Sequence, residues 1–162
     1  MSIPPADVRQ GCRHAQLVAA VFMVTAVMYA FFIEMMRQAF APFRGFAPDV
    51  DLGVLRVVLA VLAVLSLALG RVLRDKVGAT LLVPITPMRR TSPVTRRLFT
   101  GSLLTLLLSE AIAVYGLVLF LLGGRPLDFY AFAALSLVSL VVHFPRRAQW
   151  EDRARKLSRF AR

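Results

Sequence analysis

The chain has 162 residues, of which 58% are hydrophobic and only 18% charged, with a mean hydropathy of +0.69. That balance excludes an ordinary soluble domain of this length. The formal net charge of +11 does not point to nucleic acid, because the basic residues gather at the ends of apolar runs, where they orient helices and meet lipid headgroups.

A single cysteine, Cys12, and two histidines, His14 and His143, supply neither a disulfide framework nor the ligands of a metal centre, so no metal and no cofactor is expected. Residues 1–14, with Pro4, Pro5, Arg9 and Arg13, read as a short polar leader. The first apolar run covers 15–36. It is too long for a signal peptide, and Pro42 would follow a cut after Ala41. Ala15, Ala19, Ala26 and Ala30 fall within a sector of about 60° at 100° per residue, a small-residue stripe that lets another helix approach closely in lipid. Glu34 lies beside it at interface depth, partly hydrated or paired with Arg37. The connection 38–51 holds Phe40, Phe43 and Phe46 among prolines and glycines, as expected of a loop resting at the headgroup boundary.

The second run, 53–73, has no charge in its interior, and Arg56 stands close enough to its outer end to reach the headgroups. Ala60, Ala63, Ser66 and Gly70 share one side and form its packing face. The stretch 71–97 carries seven basic residues against Asp75 alone, which marks it as cytoplasmic. Its portion 77–85 is apolar enough to rest on the membrane surface. A third run occupies 98–122, and a tight turn at Gly123 to Pro126 leads to a fourth, 127–144. The tail 146–162 has seven basic residues against Glu151 and Asp152, with Trp150, Ala154, Leu157 and Phe160 at helical spacing. It reads as a basic amphipathic helix that binds anionic lipid headgroups.

The expected fold is therefore all-α: an integral membrane protein with four transmembrane helices in a domain spanning 15–144, and a basic amphipathic tail from 145 to 162. Both termini and the 71–97 loop are expected in the cytoplasm, in a multi-pass protein of a bacterial-type inner membrane. A faint similarity of 20–35 to 106–121, with Tyr29 over Tyr115, suggests two duplicated helical hairpins.

The chemistry is expected in the third run, which has Glu110 at its centre. A bilayer core of about 30 Å takes roughly 20 helical residues, so the 98–122 run spans it and carries Glu110 near the midplane. A charge there costs at least about 2.5 kcal/mol. Ser102, Thr105, Ser109, Ala113 and Gly116 lie within a sector of about 80° and form a small, hydroxyl-bearing packing face. Glu110 flanks that face, so a neighbouring helix could close over the carboxyl.

The run Ser109-Glu110-Ala111-Ile112-Ala113-Val114-Tyr115-Gly116-Leu117-Val118 resembles the carboxylate helix of the proteolipid (c or K) subunits of rotary ATP synthases and vacuolar-type ATPases. The resemblance implies that Glu110 is an ion-carrying carboxylate, with Ser109 beside it and Tyr115 and Gly116 in the packing around it. The family's glycine-rich partner helix and its short polar loop have no counterpart here, which points to a relative that kept the carboxylate helix. Three readings stand at this stage. One is an ion-binding membrane subunit that works with other subunits or further copies of itself. Another is a structural or assembly subunit whose Glu110 hydrogen-bonds across helices to Ser66, Ser136 or Tyr29. The third, a membrane enzyme, is not expected, because no second carboxyl or nucleophile-base pair lies at matching depth.

Overall fold

The computed structural model describes residues 5–47, 49–76 and 92–160. Every regular element among them is a helix: α1 (Pro5–Ala39), α2 (Gly53–Lys76), α3 (Pro93–Gly123), α4 (Pro126–Val142) and α5 (Arg147–Phe160). A chain this apolar has few alternatives, since a helix satisfies its own backbone N–H and C=O groups where no water is available. α1, α2 and α3 are each long and apolar enough to cross a membrane. α4 has 17 residues, about 25 Å of helix, and completes a fourth span only together with α5 across a 57° bend. The protein is thus an all-α, multi-pass membrane protein.

Two boundaries differ from expectation. Residues 5–14 are the opening turns of α1 and not a leader, because Val8, Cys12 and Ala15 recur on one face and pack on Phe99, Trp150 and Ala154. The tail does form a helix, α5, but its buried side chains Trp150 and Ala154 turn onto α1 and α3 and not onto lipid. Pro145 separates α4 from α5, and its carbonyl accepts from Gln16 Nε2 at 3.0 Å. The expected surface-lying segment 77–85 falls outside the described residues.

α3 is the axis of the molecule and packs against α1, α2, α4 and α5. It starts at Ser92, whose hydroxyl accepts from the Thr95 amide at 3.3 Å, ahead of Pro93 at a position where a missing N–H costs nothing. It ends at Gly124, whose φ of 68° closes the helix with a 2.7 Å bond from its N–H to the Phe120 carbonyl. Beyond that cap, the loop between α1 and α2 donates from Phe46 N to Leu121 O at 2.8 Å and from Ala47 N to Leu122 O at 3.0 Å, satisfying carbonyls that a helix end otherwise leaves open.

Two ends follow from these contacts. At the basic end, α1 and α3 begin, α2 and α4 finish, and α5 lies across. At the turn end, the 40–52 loop covers Gly123 and Gly124. α3 and α4 pack along their lengths, whereas α1 and α2 meet α3 separately, so the two halves suggested by the internal repeat do not pack alike.

Candidate intramembrane carboxyl site

The small residues of α1 lie where a close approach is made. Ala15, Ala19 and Ala26 are buried, with Ala19 against Leu106 of α3 and Leu140 of α4, and Ala30 is half-buried. On α2, Ala63, Ser66 and Gly70 are buried. Ala60 departs from the expected packing face. It is exposed, because the face turned to α3 is centred between Ala63 and Gly70 and Ala60 falls beyond its edge. On α3, Thr105, Ser109, Ala113 and Gly116 are buried, and Ser102 is half-buried. Gly116 is required: a Cβ there would meet Phe132 Cβ at 2.7 Å and the Phe129 backbone at 3.1 Å, so any larger residue would push α4 away from α3.

The hydroxyls of this face join helices. Thr105 Oγ1 donates to the carbonyls of Gly101 at 2.9 Å and, across to α2, Gly70 at 3.3 Å. Ser109 Oγ donates to the Thr105 carbonyl at 2.9 Å and meets Ser139 Oγ of α4 at 2.7 Å. Ser139 lies in turn 3.3 Å from His143 Nδ1. Ser139 is a neighbour that the sequence reading does not single out. The available signal is the i, i+3 spacing of Ser136 and Ser139 on an otherwise apolar helix.

Glu110 stands next to this seam but outside it. Its residue is 7% exposed, and neither Oε1 nor Oε2 has a hydrogen-bond partner. The phenol of Tyr29, on α1, faces the carboxyl as its one hydrogen-bonding neighbour among the described residues, in a geometry too loose for a standard hydrogen bond. The expected ion-binding set of Glu110, Ser109 and Tyr115 is therefore not brought together as a cage. Ser109 is committed to Thr105 and Ser139, and Tyr115 is half-buried with no bond to Glu110. Consecutive positions on a helix point about 100° apart, which carries Ser109 toward α4 and leaves the carboxyl to one side. Of the cross-helix partners expected for a structural acid, Ser66 and Ser136 make no bond to Glu110 either, and the buried Ser136 hydroxyl is itself unpartnered.

Two other acids, Glu34 and Asp128, are ion-paired. Glu34 bonds Arg37 at 2.9 Å and accepts from the Tyr130 hydroxyl at 3.4 Å. Asp128, in the first turn of α4, receives Arg56 Nη2 at 2.7 Å and Nε at 3.1 Å, so Arg56 of α2 is tied to α4. Comparison with protein-family models, with curated proteins and with solved structures gives no match.

Proposed function

We propose that this chain is a small membrane subunit that takes up and releases a proton, or another small cation, at Glu110. The observation that carries the reading is a carboxyl 7% exposed, deep in a membrane-spanning helix, with no cation beside it among the described residues and only the Tyr29 phenol facing it. An ionised carboxylate without a partner in such a place is costly, so the group needs a counter-charge that can arrive and leave. The resemblance of 109–118 to the proteolipid carboxylate helix supports the same reading. Here the acid lies among the helices of a single chain, so the working unit we propose is the bundle itself, alone or beside other subunits. The structural reading calls for bonds from Glu110 to Ser66, Ser136 or Tyr29; Ser66 and Ser136 make none, and the Tyr29 phenol, which faces the carboxyl, is what supports it.

Infrared spectroscopy of the reconstituted protein tests this directly. A carbonyl band of a protonated acid, absent from Glu110→Gln, should bleach as pH rises, and carbodiimide labelling of Glu110 should fall in parallel. A band and a labelling yield that stay constant over the whole range in which the protein remains folded would leave a permanently neutral, structural acid. For orientation, the basic residues favour a cytoplasmic basic end. A reporter fused at the C-terminus should then read cytoplasmic, and one inserted at Gly124 external.

A further inference from the structure

We propose that the recess between α2, α4 and α5 at the basic end is a binding site for a single anionic phospholipid. The recess has a volume of about 480 Å³, of the size that holds a small-molecule headgroup. Arg71, at the end of the apolar part of α2, His143, at the close of α4, and Arg153 of α5 stand around it. Leu67, Val138 and Val142 form the rest of the wall.

Those two halves suit the two halves of a lipid. Val138 and Val142 are 60% and 63% exposed on the outer surface of a membrane-spanning helix, so the apolar wall continues into the acyl layer. The cations stand at the level where the spans end, which is where phosphates lie. Basic pockets between membrane helices at this level are suited to anionic headgroups; the Arg71 guanidinium is a forked donor that fits a phosphate, and Arg153, which also has a partner within the protein, adds its charge beside it. The 57° bend between α4 and α5 creates the opening, since a straight continuation would carry Arg153 away from α2.

A second recess at the same end, of about 540 Å³, is lined by Arg9, Arg13, His14 and Arg147 with only Leu17 as an apolar wall. It offers charge without a path for an acyl chain, which makes it the natural control. The proposal is independent of Glu110 and of any ion chemistry there.

Native mass spectrometry of the purified chain in neutral detergent, with phosphatidylglycerol or phosphatidylcholine added, decides the matter. One phosphatidylglycerol should be retained in preference to phosphatidylcholine, and the preference should fall about fivefold for each of Arg71→Gln and Arg153→Gln. Arg9→Gln and Arg13→Gln should leave it unchanged. Leu67→Trp, which fills the apolar wall and keeps every charge, should also abolish retention, so the result does not hang on a variant that misfolds. Equal loss from Arg9→Gln and Arg71→Gln would show unspecific attraction to a basic surface and overturn the site. Displacement of the lipid by equimolar inorganic phosphate would overturn the lipid assignment in favour of a free anion, and phosphatidylglycerol retention that survives Leu67→Trp would overturn the seating of the acyl chain on this wall and with it the site.

Discussion

Glu110 and Asp128 are both carboxyls on apolar helices, and the fold treats them in opposite ways. Asp128 lies at the turn end, in the first turn of α4, where the helix N-terminus favours a negative charge. It meets Arg56 of α2 through two bonds. Its side chain is 18% exposed and that of Arg56 is 36% exposed, so water reaches the pair and desolvation is incomplete. Glu110 is in mid-helix, more deeply buried, and among the described residues has no cation beside it, only the Tyr29 phenol. An acid placed to hold the bundle together acquires its partner from the fold. An acid left without one at comparable cost is a better candidate for chemistry, and this contrast separates the two roles within one chain.

The largest effect that would sharpen the contrast comes from Asp128→Ala. It leaves Arg56 unpaired near the membrane boundary and should destabilise the protein by about 2 kcal/mol, between the values for exposed and buried pairs, read by reversible unfolding in detergent. Exchanging the two residues, Arg56→Asp with Asp128→Arg, should recover part of the loss. Glu110→Gln should change the same stability by no more than about 1 kcal/mol, because an unpartnered acid is replaced by a neutral group of the same size. A loss as large as that of Asp128→Ala would mean that Glu110 holds the fold, and the contrast would collapse. Ser109→Ala removes the hydroxyl bond to Ser139 and should cost about 0.6 kcal/mol, the average of such bonds inside membrane bundles. Ser136→Ala deletes a buried hydroxyl that bonds to nothing, so its effect should be near zero or slightly stabilising. A clear loss of stability on Ser136→Ala would reveal a partner for that hydroxyl.

The spans were legible because lipid imposes one rule on every residue of a crossing helix, and hydropathy records it directly. The packing faces were legible where small residues repeat at helical spacing, as at Ala15, Ala19 and Ala26. Ala60 shows the limit of that signal: small residues can share a side without sharing the contact, whose centre depends on where the neighbour lies. The first turns of α1 were hidden because Arg9, Gln10 and Arg13 dominate the composition, while only the spacing of Val8, Cys12 and Ala15 reveals the buried face. The Arg56–Asp128 pair joins residues 72 apart, and nothing local in either segment indicates the other. Glu110 itself could be found from composition alone, as an acid in an apolar run. That Ser109 would turn to α4 and leave it unbonded depends on helix rotation, which only the packed bundle fixes.

The amides of Phe46 and Ala47 on the carbonyls of Leu121 and Leu122, together with the packing of Phe99 on α1 and α5 at the other end of α3, have a mechanical consequence. α3 is bonded to another segment at its turn end and packed through Phe99 at its basic end, so a slide along the membrane normal would break the bonds at the first and the packing at the second. From Glu110 to Gly123 the helix measures about 20 Å, so the depth of the carboxyl is set by a fixed length measured from the bonded turn end. Any exchange with water at Glu110 must then come from rotation of its own side chain or from displacement of α1 and Tyr29 beside it. For the proton exchange proposed at Glu110, this makes the acid-bearing helix the better-held partner and the helix that covers it the one expected to move.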